Sequence, residues 1–207
     1  MDARIALPLV AVYADESCLG NGRDGDNPGG AGVLVEFLTA RRQLVRRDLW
    51  VSAPATTNNR MALRSVITAF NALAAKGKRF RVVFTTDSRY IVDGMTDWVH
   101  GWAAKGWKRK AGPIENLALW HDAVRAASPH LVQWRWVRGH DGHAQNEYAN
   151  DLAVRAAEQQ TQSDGLVDSG FAEWWKDRAD DGDALEAFPQ ERAFRAGRAL
   201  PHPGHGA

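Results

Sequence analysis

An apolar, β-branched run that ends in a carboxylate is the feature that most narrows the possible folds of this chain. Val82–Thr86 has the composition of a buried strand, Asp87 ends it, and helix-compatible residues follow. A second run, Leu9–Tyr13, leads in the same way to Asp15. Two aspartates at the ends of neighbouring strands can share a divalent cation. Each aspartate can instead open a turn or cap the next helix, as Asp commonly does.

The order of the predicted elements indicates a mixed sheet covered by helices. The first three strands follow one another through turn-rich links, which predicts an antiparallel meander. The later strands alternate with helices, which favours parallel pairing and an α/β fold. Strand patterns lie near residues 8–14, 31–38, 43–51, 81–86 and 131–137, and helical patterns near residues 60–75, 89–100, 115–127 and 144–160.

Composition limits the classes of protein to which this chain can belong. The chain has 207 residues, 44% of them hydrophobic and 25% charged, which suits one globular domain and a tail. The single cysteine, Cys18, cannot form an internal disulfide, and no Cys/His cluster has zinc spacing. No apolar run approaches the roughly 20 residues of a membrane span. The N-terminus also lacks a signal-peptide pattern. We therefore expect a cytoplasmic protein that does not associate with membranes.

Charge is distributed unevenly along the chain. Residues 161–207 contain nine acidic and five basic residues, although the whole chain has a net charge of +1. The preceding part is therefore mildly basic, which is compatible with a polyanionic partner. We expect one domain over residues 5–160, followed by an acidic, partly disordered extension over residues 161–207. Within the extension, residues 171–179 are apolar enough to dock on the body or on a protein partner.

Four polar segments lie at the ends of predicted strands and helices. They are Ala14–Asn21, Thr56–Met61, Thr85–Tyr90 and Val137–Glu147. Each is weak evidence alone, but their common order and spacing are specific. Together they resemble type 1 ribonuclease H over roughly residues 9–158. The resemblance implies a ribonuclease H-like fold with a five-stranded mixed sheet in the order 3-2-1-4-5. It also implies hydrolysis of the RNA strand of RNA–DNA hybrids.

The resemblance further implies a site in which four carboxylates bind Mg²⁺, for which Mn²⁺ can substitute. Asp15 and Asp87 match two of these carboxylates, and His140 matches a loop histidine that assists proton movement or product departure. Two positions depart from the pattern, because Ala62 stands where the family has Glu and Asn150 where it has Asp. Asn150 can still offer one neutral oxygen to a metal.

Three explanations of the two missing carboxylates remain open. Glu16 can supply one of them, although neighbouring side chains on a regular strand point to opposite faces. A bulge or a strand end at this point would relax that objection. Asp151 can similarly replace Asn150, although one residue along a helix is about 100° of rotation. Alternatively, the chain is an engineered inactive variant, or a natural homologue that binds hybrids and cuts them slowly or not at all.

A short segment before the first helix matches the substrate-contacting surface of the family. It consists of Thr57, Asn58, Asn59 and Arg60, and either Asn21 or Asn27 is a further candidate. Amide side chains suit base edges and 2′-hydroxyls, and arginine suits a DNA phosphate. The same segment can also be a polar turn in which Asn58 or Asn59 caps the helix.

Residues 98–110 resemble the basic handle with which the family grips the DNA strand. They contain three Trp, four basic residues and no acidic residue. Basic groups neutralise phosphates while Trp faces pack against sugars. The candidate contacts are Trp98, Trp102, Lys105 and Lys108, although core packing is an equal alternative for Trp102 and Trp107. We expect Trp120, Trp134 and Trp136 in the core, and a monomer that binds an RNA–DNA hybrid duplex.

Overall fold

The computed structural model describes residues 7–20, 27–75, 77–139, 141–178 and 194–203. The strands are β1 (Leu9–Cys18), β2 (Gly29–Leu38), β3 (Leu44–Ala53), β4 (Arg81–Thr86), β5 (Leu131–Trp136) and β6 (Val167–Asp168). The helices are α1 (Asn58–Ala74), α2 (Arg89–Asp93), α3 (Val99–Ala103), α4 (Leu117–Ala127), α5 (Ala144–Gln159) and α6 (Phe171–Lys176). A π-helical turn, Gly94–Trp98, joins α2 to α3. No helix in these ranges is long and apolar enough to cross a bilayer.

The strands form one mixed sheet in the order β5-β4-β1-β2-β3-β6. β1, β2 and β3 pair antiparallel, and β4 runs parallel to both β1 and β5. The predicted α/β class, meander and 3-2-1-4-5 order are therefore confirmed. The predicted number of five strands is wrong, because Val167 and Asp168 pair with the free edge of β3. Two residues are too few to show an alternation of apolar and polar side chains, so this strand could not be predicted from periodicity.

Helix α1 packs on one face of the sheet and begins within the segment that is predicted to contact the substrate. Its buried residues, among them Met61, Leu63 and Phe70, recur at helical spacing. The side-chain oxygen of Thr57 accepts a hydrogen bond from the Arg60 N–H at 3.4 Å and caps the helix. The prediction of an asparagine cap is therefore wrong by one position, since Asn58 is already the first helical residue.

Helix α5 lies directly against β2 on the other face of the sheet. A Cβ at Gly30 would collide with the carbonyl oxygen of Ala153, and one at Gly32 with that of Ala149. Only residues without a side chain allow the helix backbone to come this close. The close packing brings the first turn of α5 to β1, where the Asn146 amide donates to the Ala14 carbonyl oxygen at 3.3 Å.

Residues beyond 160 pack on both edges of the sheet. β6 extends the sheet at β3, and α6 packs Phe171 against Tyr148 of α5. At the opposite edge, the Gly197 N–H donates to the Val132 carbonyl oxygen of β5 at 2.8 Å. The Arg195 N–H donates to the Gln133 side chain, also at 2.8 Å. Within the described ranges, the segment predicted to dock therefore lies on the body of the protein.

Candidate active site

Three carboxylates meet at the end of the two central parallel strands. Oxygens of Asp15, Glu16 and Asp87 lie within 4.8 Å of one another. Asp15 and Glu16 are consecutive on β1, and Asp87 directly follows β4. The pairing between these strands ends at Ala14 and Thr86, so all three side chains leave the sheet at the same place. Clustered carboxylate oxygens are the ligands that hard divalent cations prefer.

Strand alternation does not keep Glu16 away from Asp87. The prediction that the first strand ends at Asp15 is wrong, because β1 continues to Cys18. From Asp15 onward, β1 has β2 as a neighbour but is no longer paired with β4. The side towards β4 is therefore open, and the Glu16 carboxylate reaches Asp87 across the end of that strand. The Glu16 N–H also donates to Asp15 Oδ1 at 2.7 Å, which fixes the two residues relative to each other.

The electrostatics of the cluster suit a cation. Burial raises the pKa of Asp15 to about 7, and the charge of Asp87 adds to this effect. Burial raises the pKa of Glu16 well above its ordinary value, and the charges of Asp15 and Asp87 raise it further. Negative groups that repel one another in a poorly solvated place gain most from a divalent cation between them. The residues present therefore fit a metal site.

Helix α5 positions Asp15 through Asn146, a residue to which the sequence had assigned no role. Asn146 is 1% exposed, and its amide donates to Asp15 Oδ2 at 3.3 Å. Asn150 lies one helical turn later and so shares a face with Asn146. This i, i+4 spacing from Asn150 is the signal from which Asn146 could have been found.

Asp151, the other suggested source of a carboxylate, does not fit the structure. It accepts hydrogen bonds from the Trp174 indole at 2.7 Å and the Arg178 guanidinium at 2.8 Å. Asp151 is thus tied to Trp174 of α6, and the idea that it replaces Asn150 is wrong. At the other departure from the family pattern, Ala62 is 0% exposed within the main core cluster.

The loop after β5 passes directly against Asp87, because a Cβ at Gly139 would overlap Asp87 Oδ2. A side chain at this position would require the carboxylate to move. The next residue, His140, lies outside the described residues, as does Asn21. Their proposed roles in proton movement and substrate contact stay predictions.

Both parts of the predicted substrate surface have side chains that are exposed to solvent. Thr57, Asn59 and Arg60 are exposed at the start of α1, and Asn58 is half-buried. In the handle, Lys105 and Lys108 are exposed.

The tryptophans of the handle and of the neighbouring strand divide between core and surface. The half-buried rings of Trp98 and Trp102 lie 6.0 Å apart, and Trp102 also packs against Trp120 at 5.6 Å. Trp120 is in the core as predicted, and Trp134 packs partly buried against that core. The prediction for Trp136 is wrong, because it ends the edge strand β5 and is 38% exposed.

Comparison with known proteins gives one consistent result. The RNase H family model matches residues 8–158. Ribonuclease H from Erythrobacter litoralis is 44% identical over 156 residues, covering 75% of this chain and 100% of the relative. Ribonuclease H from Herminiimonas arsenicoxydans is 42% identical over 153 residues, covering 73% of this chain and 97% of the relative. The crystal structure of LC9-RNase H1, described as a type 1 RNase H with the type 2 active-site motif, has a TM-score of 0.89 and 66% identity, and the match covers 99% of both chains. The resemblance inferred from the four segments is confirmed, and the chain belongs to the ribonuclease H family.

Proposed function

We propose that Asp15, Glu16 and Asp87 hold the divalent cations with which this ribonuclease H hydrolyses the RNA strand of RNA–DNA hybrids. The observation that carries the proposal is the carboxylate cluster, whose oxygens lie within 4.8 Å of one another. Mg²⁺ is the proposed cation and Mn²⁺ its substitute, because carboxylate oxygens are hard ligands. Asn150 adds a neutral oxygen ligand from α5, one turn from Asn146.

Glu16 makes an active enzyme the better proposal than an inactive hybrid-binding homologue. The loss of the usual glutamate at Ala62 suggested a weakened site, but Glu16 supplies a third carboxylate at the same cluster. LC9-RNase H1, which is 66% identical to this chain, is described as a type 1 RNase H with the type 2 active-site motif. A different active-site motif therefore occurs on this fold.

The chain's own residues prepare the site for the reaction. When bound, divalent cations would supply an activated water and charge stabilisation at the leaving 3′ oxygen. Asp15 is oriented by two hydrogen bonds, from the Glu16 N–H and the Asn146 amide. The Gly139 backbone packs on Asp87 and limits where that carboxylate can point. His140 is the proposed residue for proton movement or product departure.

The proposed substrate contacts come from two segments, the start of α1 and the handle. Residues at the start of α1 contact the minor groove and a DNA phosphate, with Asn21 as an additional contact; they are Thr57, Asn58, Asn59 and Arg60. The handle grips the DNA strand through Trp98, Trp102, Lys105 and Lys108. These groups read backbone and shape, so we propose cleavage that does not depend on sequence, by a monomeric protein.

The test is cleavage of a labelled hybrid duplex with Mg²⁺ and with Mn²⁺. The parent protein should cut the RNA strand and leave the DNA strand intact. Asp15→Asn, Glu16→Gln and Asp87→Asn should each lower the rate by about 100-fold or more, because each removes a charged metal ligand. Glu158→Gln, an exposed acid at the far end of α5, is the matched control and should cut at the parent rate. Tight hybrid binding without cleavage by the parent would support the inactive homologue instead.

A further inference from the structure

An exposed tryptophan lies beside the carboxylate cluster and is hydrogen-bonded to one of its residues. Trp136 ends β5, and its indole N–H donates to the Asp87 carbonyl oxygen at 2.9 Å. The hydrogen bond fixes the ring plane relative to the backbone of a proposed metal ligand. The ring is 38% exposed, so part of it stays accessible beside the carboxylates.

Arg89 covers the outer face of this ring. Its guanidinium carbon lies 3.9 Å from the centre of the Trp136 ring. Arg89 is the first residue of α2, two positions after Asp87, and its side chain is exposed. Within the described part of the chain, no carboxylate forms an ion pair with it.

The stacked arrangement prepares the guanidinium to bind an anion. Stacking on the indole holds the planar group in one orientation and lowers the entropy lost on binding. The N–H edges of the guanidinium stay available for two parallel hydrogen bonds, the geometry that suits a phosphate. A lysine at this position could neither stack in the same way nor donate in a bidentate manner.

We infer that Arg89, oriented by Trp136, binds a phosphate of the RNA strand next to the one that is cut. The inference rests on the proposed metal site, which acts on the RNA strand at Asp87. Because Trp136 is hydrogen-bonded to Asp87, a strand whose phosphate lies at the carboxylates passes the stacked pair. The handle, which is proposed to grip the DNA strand, begins farther along the same helical segment, at Trp98.

The first test compares single variants by hybrid affinity in the absence of divalent metal and by KM with Mg²⁺. Arg89→Gln should weaken binding and raise KM by about tenfold, the usual effect of losing a charge-assisted contact. Arg89→Lys should recover part of the loss, since it keeps the charge but not the fork. The slope of affinity against salt should shrink by about one phosphate contact in Arg89→Gln. Lys78→Gln removes an exposed cation just before the opposite end of β4 and should leave both readouts unchanged.

The second test identifies the strand. Hybrids with a single uncharged methylphosphonate linkage are bound at successive positions of either strand. The parent should lose affinity at one RNA-strand position adjacent to the cut, and Arg89→Gln should not respond there. Parental affinity and salt slope in Arg89→Gln, or a response confined to the DNA strand, would overturn the inference while leaving cleavage by the parent intact. An absence of parental cleavage would instead contradict the proposed metal site.

Discussion

At the scale of single residues, the carboxylate site depends on where strand pairing stops. The pairing of β1 with β4 ends after Ala14 and Thr86. This end opens the space in which Glu16 lies beside Asp15 and Asp87.

The proposed role of Glu16 has a testable consequence at position 62. Ala62→Glu should not improve the site, although the family pattern has Glu there. Position 62 is fully buried, so the new carboxyl group would be desolvated without a partner. We expect a loss of about 3 kcal/mol or more of unfolding free energy, and a Tm lower by roughly 10 °C. Thermal unfolding measures the loss of stability, and Mg²⁺ titration measures whether the metal affinity of the site changes. Tighter Mg²⁺ binding at an unchanged Tm would contradict the placement of this position.

The raised pKa of Asp15 predicts an unusual dependence of stability on pH in the metal-free protein. The folded protein keeps this proton up to a pH of about 7, whereas the ordinary value for the unfolded chain is 3.8. Between these values the folded state binds more protons, so the contribution to stability falls as pH rises. The proposed Mg²⁺ would bind the deprotonated cluster, so its stabilising effect should grow over the same range.

Urea unfolding at several pH values, with and without Mg²⁺, measures this dependence. Asp15→Asn is the control, because it removes the titrating group while keeping a similar shape. Its stability should fall less steeply between a pH of about 4 and about 7 than that of the parent. Equal slopes in the two proteins would show that Asp15 does not titrate in this range.

At the same scale, the site could be predicted from the sequence only in part. Asp15 and Asp87 were predicted as a pair because apolar runs precede both, and the structure brings them together. Glu16 was one of several explanations, since the sequence does not show where the pairing of β1 with β4 stops. Trp136 was misassigned for a related reason, because β5 is an edge strand among the described strands.

At the scale of elements, the glycines of β2 set the distance on which the site depends. The strand pattern of residues 31–38 was predicted, but not that its glycines face a helix backbone, since periodicity does not report the distance between elements. Gly32→Ala should force α5 away from the sheet, because the Cβ meets the Ala149 carbonyl oxygen. We expect a loss of about 2 kcal/mol. Metal affinity should weaken as well, as Asn146 moves from Asp15.

Gly101→Ala is the matched control for this prediction. Gly101 lies in α3, and a Cβ there meets nothing within 4 Å. The substitution should be neutral or slightly stabilising, since alanine restricts the unfolded chain more than glycine. The measurement is Tm together with Mg²⁺ affinity. A Gly32→Ala protein with the parent's values for both would show that α5 can shift without disturbing Asp15.

At the scale of the whole molecule, the segment beyond residue 160 takes part in the fold. It was predicted as an acidic, partly disordered extension, and its segment 180–183 lies outside the described residues. The described part contributes a strand at one edge of the sheet and contacts at the other. It also supplies the Gly170 N–H that donates to the buried Asp48 carboxylate at 3.1 Å. Edge strands that are covered in this way are protected from pairing with other chains.

The contribution of this segment to stability can be measured at Phe171. The ring is 1% exposed and packs edge-on against Tyr148 with centroids 5.2 Å apart, while the Arg46 guanidinium lies 4.7 Å from its centre. Phe171→Ala should cost about 3 kcal/mol, the usual loss for a buried phenylalanine. Glu173→Ala, an exposed residue of the same helix, should stay within about 0.5 kcal/mol of the parent. The carboxylate cluster lies outside these contacts, so cleavage at a temperature well below Tm should be retained. A Phe171→Ala protein as stable as Glu173→Ala would show that α6 rests on the body without stabilising it.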